Sequence, residues 1–353
     1  MLKWFNLWRS RNLKNTRSKN IGDKSNETTL LNTATHVTLK ELLELQRHAS
    51  KLDLRQRQTA RAQLSGNHHS GFRGRGMDYQ ESRHYQPGDD IRNMDWRVTA
   101  RAGRPHTKVF QEERERPVIL LIDLSPSLFF ATQGALKSVI AARTAALLGW
   151  AAASQGDRIG ALLFNSGHYE LKPRNGHRGV LPLIHSILEH TDPLQGLASP
   201  LQPAGMNDAL IRLRRIVRPG SLVFMISDFY AVNEDTANHL TRLRQHNDLV
   251  AMQIIDPLEL APPPPGNYSV TDGVHSGVLN TRSKHGRQKY NDFFQQHQQS
   301  LQKLMGKSAI PLLSLSTTDE VTTVLPASFG KRTTANTRVS NNLNSKVYKS
   351  TAA

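Results

Sequence analysis

Three oxygen-bearing side chains stand at alternate positions in the segment Asp123-Leu-Ser-Pro-Ser. Asp123 supplies a carboxylate, and Ser125 and Ser127 supply hydroxyls. A second carboxylate, Asp228, follows another apolar stretch further along the chain. Oxygen ligands of this kind suit a small, hard cation such as Mg²⁺. The sequence therefore predicts a metal site formed by Asp123, Ser125, Ser127 and Asp228.

The residues that precede each carboxylate predict the strands that would position it. Residues 118–122 and 222–226 are apolar runs without polar alternation. Such runs are typical of strands covered on both faces of a parallel sheet, where ligands gather at the carboxyl ends. Strand and helix patterns then alternate along the chain, which predicts a parallel sheet with helices on both faces. We expect Asp123 and Asp228 to meet at one edge of this sheet.

Other chemistries compete with metal binding for these residues. Asp123-Leu-Ser-Pro-Ser could instead be a turn in which the Asp and Ser side chains bind nearby backbone amides. No phosphate-binding G-x-x-x-x-G-K-[ST] segment is present, and none of the fifteen histidines falls in an H-x-x-x-H context. A Mg²⁺ site could activate water for phosphoester hydrolysis, but the sequence shows no general base paired with it. We therefore expect a protein that is not an enzyme.

The net charge of +17 is concentrated at the two ends of the chain. Residues 1–75 carry fifteen Lys and Arg against five Asp and Glu, and residues 331–353 carry five against none. Basic ends attract polyanions such as RNA or anionic lipid, and this attraction is non-specific and screened by salt. Polyanion binding through the ends is therefore an alternative function, although the nearly neutral body does not favour a dedicated nucleic-acid site.

Compartment and membrane association rest on weaker signals. The chain has no cysteine, which removes disulfides and thiolate metal sites. No run of 18 or more apolar residues is present, which does not favour a spanning helix. The segment 1–9 is apolar and basic, so it could rest on a membrane surface. We expect a cytoplasmic protein, with peripheral contact to the inner membrane through the N-terminus as a further expectation.

A series of short motifs resembles the bacterial "domain of unknown function 58" family. The motifs occur in a fixed order, run into the Asp123 segment and are Gly74–Tyr79, Tyr85–Arg92, Asp95–Arg101, Lys108–Phe110 and Glu112–Glu115. The resemblance implies a von Willebrand factor A-like, Rossmann-like parallel sheet flanked by helices, with a β-rich insertion before the first core strand. It also implies association with AAA+ ATPases of the MoxR type.

The Asp123 segment resembles the metal-ion-dependent adhesion site of von Willebrand factor A-like proteins. In that site, an acidic side chain of a partner completes the coordination of the metal. The family pattern also places a threonine before the helix that begins near Asn207, and Ala204 stands at that position. Ser199, Asn207 or water could substitute for the missing hydroxyl. We therefore expect an incomplete Mg²⁺ site that docks an acidic client protein.

These observations together predict five segments and an adaptor function. We expect a disordered basic tail over residues 1–36, a helical segment over 37–64 and a β-rich subdomain over 65–117. A von Willebrand factor A-like domain over 118–328 and a disordered basic tail over 329–353 complete the chain. The predicted function is a non-enzymatic interaction module that works with a MoxR-type AAA+ ATPase in the assembly of other proteins.

Overall fold

The structure is a computed structural model that describes residues 34–54, 77–112, 116–198, 205–271 and 276–329. These residues divide into two compact units. The larger unit contains residues 34–54 and 116–329 of the described chain, and the smaller contains residues 77–112. Most of the two predicted tails lies outside the described residues.

Strands and helices are numbered in chain order over the described residues. The strands are β1 (Met77–His84), β2 (His106–Glu112), β3 (Pro117–Asp123), β4 (Arg158–Phe164), β5 (His168–Asn175), β6 (Leu222–Ser227), β7 (Asp248–Ile255), β8 (Asn267–Thr271), β9 (Ser276–Asn280) and β10 (Leu312–Ser316). The helices are α1 (Leu39–Glu44), α2 (Gln46–Ala49), α3 (Trp96–Ala102), α4 (Lys137–Ser154), α5 (His177–His190), α6 (Pro193–Ala198), α7 (Gly205–Ile216), α8 (Glu234–His246), α9 (Pro257–Leu260), α10 (Lys284–Lys307) and α11 (Val321–Phe329).

A six-stranded sheet forms the centre of the larger unit. Its strand order is β10-β7-β6-β3-β4-β5, and all neighbours are parallel except the edge strand β5, which is antiparallel to β4. Numbered by occurrence within this sheet and read from β5, the order is 3-2-1-4-5-6. This is the order of Rossmann-like folds. The prediction of a von Willebrand factor A-like parallel sheet flanked by helices is confirmed.

The central strand β3 is covered on both faces, which explains its unbroken apolar sequence. Val118, Leu120 and Ile122 pack in one core with side chains of α4, α5 and α11. Ile119 and Leu121 point to the opposite face and pack with side chains of α7, α8 and α10. Because alternate positions meet two different layers of helices, no position of this strand needs a polar side chain.

The first two helices pack against α4 within the larger unit. The indole nitrogen of Trp150 donates a hydrogen bond to the carbonyl oxygen of Leu42 over 2.9 Å, which ties α1 to α4. Thr38 caps α1 by accepting a hydrogen bond from the amide of Glu41. Residues 50–54 are not helical, and residues 55–64 of the predicted helical segment lie outside the described residues.

The smaller unit is built on an antiparallel pair of strands. β1 pairs with β2 from Met77–Glu112 to His84–His106, and the connection between them contains a 3-10 turn over Ile91–Asn93 and the helix α3. The turn residues of this segment did not predict α3. The helix forms because the Asp95 carboxylate accepts hydrogen bonds from the amides of Arg97 and Val98 and so caps its first turn.

The last described helix, α11, packs against the apolar core through Val321, Leu325 and Phe329. Phe329 is buried, and its ring meets the Phe224 ring edge-on at 5.8 Å between centroids. Phe329 therefore belongs to α11, although it was predicted to begin the C-terminal tail. Within the described ranges, no helix combines the length and apolar character needed to cross a membrane.

Candidate metal centre

The structure brings the predicted ligands together at the carboxyl ends of two central strands. β3 and β6 are neighbours in the sheet; Asp123 ends β3, and Asp228 directly follows β6. The sheet continues from β3 to one side through β4 and from β6 to the other side through β7. Ligands of open α/β sheets bind in the crevice at such a reversal of strand order. Asp123 and Asp228 thus occupy the expected position for a ligand site.

Asp123 is buried, and both of its carboxylate oxygens accept hydrogen bonds. Its side chain is 3% exposed. The amide of Ser125 donates to Oδ1 over 2.9 Å, and the hydroxyl of Ser227 donates to Oδ2 over 2.6 Å. Ser227 also accepts a hydrogen bond from the amide of Phe229, so one hydroxyl connects the ends of both strands. Ser227 was missing from the predicted set, and its only sequence signal is its position as the polar residue that ends an apolar run.

The hydroxyls of Ser125 and Ser127 lie side by side. Their oxygen atoms are 3.2 Å apart, and the segment between them enters a 3-10 turn over Pro126–Leu128. Adjacent ligands of an octahedral Mg²⁺ ion, each 2.0–2.1 Å from the metal, are about 3 Å apart. The separation of the two hydroxyls therefore matches two neighbouring coordination positions.

Asp228 has one oxygen atom without a hydrogen-bond partner. Its Oδ1 accepts a hydrogen bond from the amide of Tyr230 over 3.2 Å. Its Oδ2 is buried, accepts no hydrogen bond and lies 3.6 Å from the ammonium group of Lys137. The next residue, Phe229, has a φ of 59°, a left-handed conformation that is unusual for a residue with a side chain. A carboxylate oxygen in this state is available to a cation.

Lys137 is the unexpected member of the site. It is completely buried at the start of α4, and it donates a hydrogen bond to Glu259 in addition to its contact with Asp228. Burial lowers its pKa, but the charges of Glu259 and Asp228 raise that pKa by more, so the ammonium form is favoured. Lys137 was absent from the predicted site. Its signal in the sequence is a charge at the first position of a largely apolar helix, in which Arg143 is the other charged residue.

Negative charge outweighs positive charge in this buried region. Asp123, Asp228, Asp256 and Glu259 are each less than 9% exposed, whereas Lys137 is the one buried Lys or Arg within the described residues. Burial, followed by the charge of Asp228, raises the pKa of Asp123 to about 6. Burial also raises the pKa of Glu259 to about 7, although Lys137 opposes this shift. An additional cation at Asp123 and Asp228 would relieve this repulsion.

Asp256 has a structural role. Its carboxylate accepts hydrogen bonds from the amide and hydroxyl of Thr132, the hydroxyl of Thr317 and the amide of Leu258. It thereby caps α9 and joins the ends of β7 and β10 to the loop before α4. With this many donors on two oxygens, Asp256 is not available as a metal ligand.

The donor set fits a hard divalent cation that keeps several waters. The described residues contain no group of three or more His, Cys, Asp or Glu side chains placed to hold a metal ion. The donors at the site are two carboxylates and two hydroxyls, and Mg²⁺ accepts such a set together with water. Asn207 does not complete it, because its side-chain amide contacts Asn233 and Thr236. Ala204 and Ser199 lie outside the described residues.

The strand order and the Asp123 segment at the reversal point define a von Willebrand factor A-like α/β domain. The sequence supports a narrower assignment. The chain belongs to the family described as "Protein of unknown function DUF58", which matches residues 81–300.

Relatives and solved structures extend this comparison. The Mycobacterium tuberculosis protein named "Uncharacterized protein Rv1480" is 32% identical over 234 residues, which cover 65% of this chain and 70% of the relative. Similar solved structures include the conserved hypothetical protein BatB from Bacteroides thetaiotaomicron, with 13% identity and a TM-score of 0.37 over 66% of this chain and 99% of that one. A von Willebrand factor type A protein from Catenulispora acidiphila shows 10% identity and a TM-score of 0.24 over 42% of this chain and 35% of that one.

Proposed function

We propose that this chain is a non-enzymatic protein-interaction module that docks an acidic partner at the carboxyl ends of β3 and β6. The observation that carries the proposal is the buried pair Asp123 and Asp228, with a carboxylate oxygen on Asp228 that accepts no hydrogen bond and two adjacent serine hydroxyls. Asp123, Ser125, Ser127 and Asp228 would hold Mg²⁺. When bound, the ion would supply an open coordination position for a carboxylate of the partner.

The protein's own residues prepare this site in the absence of any partner. The hydroxyl of Ser227 and the amide of Ser125 fix the orientation of Asp123. The amide of Tyr230 holds one oxygen of Asp228 and leaves the other turned toward the buried region. Because these contacts fix the carboxylates before binding, little conformational entropy is lost when a cation and a partner bind.

The partner we propose is an AAA+ ATPase of the MoxR type, acting with an acidic client protein. This proposal is supported by the family assignment and by the sequence resemblance that accompanies it. We also propose a cytoplasmic location, with peripheral contact to the inner membrane through the basic N-terminus. Fractionation of cells that produce the full chain and a chain lacking residues 1–33 would test this location.

Metal binding is tested by titrating Mg²⁺ into the full chain in a calorimeter. Asp123→Asn and Ser125→Ala are each expected to weaken Mg²⁺ binding at least about tenfold, because each removes one ligand. Asp208→Asn is the matched control, since Asp208 is an exposed carboxylate on α7. Equal Mg²⁺ affinity in the wild type and in both site variants would contradict a metal centre at these residues.

Partner docking is tested with a purified MoxR-type ATPase from the same organism. Capture of the ATPase by the full chain is expected to fall with a chelator and with Asp123→Asn, but not with Asp208→Asn. Capture that is unaffected by the chelator and by the site variant would exclude a cation-bridged mechanism while leaving the adaptor role. Mg²⁺-dependent hydrolysis of p-nitrophenyl phosphate that Asp123→Asn abolishes would instead favour a phosphoester hydrolase.

A further inference from the structure

The smaller unit exposes large apolar side chains that contribute to no core. Trp96 is 67% exposed at the start of α3, and Ile91 is 63% exposed in the preceding 3-10 turn. Both elements pack against the same strand, β2. A Trp and an Ile with most of their surface in water, in neighbouring elements that pack on the same strand, indicate a binding surface more often than scattered single residues do.

Four of the five exposed residues of α3 lie on one side of the helix, and the fifth is Ala102 at its C-terminal end. With 100° between successive residues, Trp96, Arg97, Ala100 and Arg101 fall within a sector of about 140°. All four are exposed. The opposite side of the helix contacts β2 through Thr99. The Thr99 hydroxyl accepts a hydrogen bond from the backbone amide of His106 over 2.9 Å. The outward direction of this side is therefore fixed by contacts to the strand below it.

We call this surface the Trp96 face. It consists of Ile91 and Arg92 of the 3-10 turn together with Trp96, Arg97, Ala100 and Arg101 of α3.

The charges of this segment are divided between the interior and the surface. Asp95 is buried and caps α3, and Asp89 binds Arg83 and the amide of Gln86. Asp90 accepts a hydrogen bond from the amide of Arg92, so each of these three carboxylates binds at least one backbone amide. The three arginines of the Trp96 face are exposed, and within the described residues none of the three forms an ion pair. The face therefore combines an apolar centre with uncompensated positive charge.

We propose that the Trp96 face is a docking surface for an acidic protein segment that carries at least one large apolar side chain. Trp and Arg are the residues most enriched at the energetic centres of protein interfaces. The arginines select a partner rich in Asp and Glu by charge complementarity. The aliphatic side chain of Ile91 favours a protein over a nucleic acid, because bases bind exposed aromatic rings by stacking and gain little from an aliphatic neighbour. The proposal does not rest on the Asp123 site.

The proposal is tested by selecting binders from a library of random displayed peptides with the full chain. Selections are run in parallel on the wild type and on a Trp96→Ser/Ile91→Ser variant. Peptides rich in Asp and Glu around an apolar residue should be enriched on the wild type and lost on the variant. Leu194→Ser is the matched control, because Leu194 is 72% exposed in the larger unit. Acidic peptides that are not enriched, or that bind the double variant equally, would overturn the proposal.

A charge-exchange measurement with the best selected peptide sharpens this test. Arg97→Glu/Arg101→Glu is expected to weaken its binding at least about tenfold, and a peptide with Lys in place of Glu should regain binding to that variant. Both substitutions are at exposed positions, and thermal melting is the control that checks whether the variant is folded. Failure of the exchanged pair to bind would contradict charge complementarity.

Two other occupants are distinguished by additional measurements on the same proteins. A labelled twelve-residue oligothymidine that binds more tightly than the selected peptide, and loses binding in the Trp96→Ser/Ile91→Ser variant, would assign the face to nucleic acid and overturn the proposal. Sedimentation that shows a wild-type dimer and a monomeric variant would assign the face to a second copy of the chain, with the same consequence.

Discussion

Replacing Lys137 by methionine is expected to destabilise the larger unit strongly, although methionine has a similar length and is apolar. The ammonium group lies 3.6 Å from Asp228 and donates a hydrogen bond to Glu259, with all three side chains buried. With an effective dielectric constant of about 20, the attraction to Asp228 alone is about 5 kcal/mol. Removal of one member of a buried ion pair typically costs about 3–5 kcal/mol, because the remaining charge is left uncompensated.

The size of this effect should depend on pH in a definite direction. Burial raises the pKa of Glu259 to about 7 while Lys137 opposes this shift, so loss of Lys137 raises that pKa further. At a pH of about 5 the Glu259 carboxyl is protonated in the folded variant, and little charge remains uncompensated on it. Above a pH of about 8 the variant must either bury the charge or bind a proton. The destabilisation is therefore larger at the higher pH.

The assay is urea unfolding of the full chain at both pH values, supported by thermal melting. A loss of about 3–5 kcal/mol corresponds to a decrease in melting temperature of roughly 6–20 °C for a unit of this size. Lys303→Met is the control, because Lys303 is exposed on α10. The double variant Lys137→Met/Glu259→Gln should regain part of the lost stability, since it removes one uncompensated carboxylate. Equal destabilisation at both pH values, or none, would refute the charge argument.

Further substitutions test the same structure at separate positions. Because burial raises the pKa of Glu259 from 4.5 to about 7, wild-type stability should fall as pH rises through this interval, and Glu259→Gln should reduce the fall by about 3 kcal/mol in urea titrations. Gly134→Ala should lower the free energy of unfolding by about 2–5 kcal/mol. Gly134 has a φ of 73°, and the added Cβ would lie 2.1 Å from the carbonyl oxygen of Thr317. Gly220→Ala should cost less in the same assay, because its Cβ would meet open space. Trp150→Phe removes the hydrogen bond to α1 and should increase hydrogen exchange in α1, with a loss of about 1–3 kcal/mol in urea unfolding.

The class of fold could be predicted because its signals are local. Residues 118–122 of β3 and 222–226 of β6 are all apolar, and the two strands end in the polar residues Asp123 and Ser227. An unbroken apolar run of this length is typical of a strand that is covered on both faces. The helix α3 could not be predicted in the same way, because it has seven residues and depends on a cap by Asp95. A short helix among turn residues has no periodicity long enough to recognise.

The candidate site could be predicted only as far as its residues stand at the ends of recognisable strands. Asp123, Ser125, Ser127 and Asp228 met this condition. Ser227 did not, because its role depends on a contact with Asp123 across 104 positions of sequence. Lys137 and Glu259 are separated by 122 positions and meet only through the packing of α4 against the end of β7. The metal role of the four predicted residues stays a prediction.

Lys137 and Glu259, which the sequence did not predict, change the chemistry expected of the site more than the absence of the expected threonine does. A D-x-S-x-S segment considered alone predicts a cation held by its own oxygens, with an affinity set by the number of ligands. The structure adds an ammonium group within 3.6 Å of Asp228, which neutralises part of the charge that would attract a divalent ion. The four buried carboxylates of this region nevertheless outnumber the single buried ammonium and leave an excess of negative charge. The affinity for Mg²⁺ is therefore expected to depend on Lys137 and Glu259 as much as on the ligands, because they set the potential in which the ion binds.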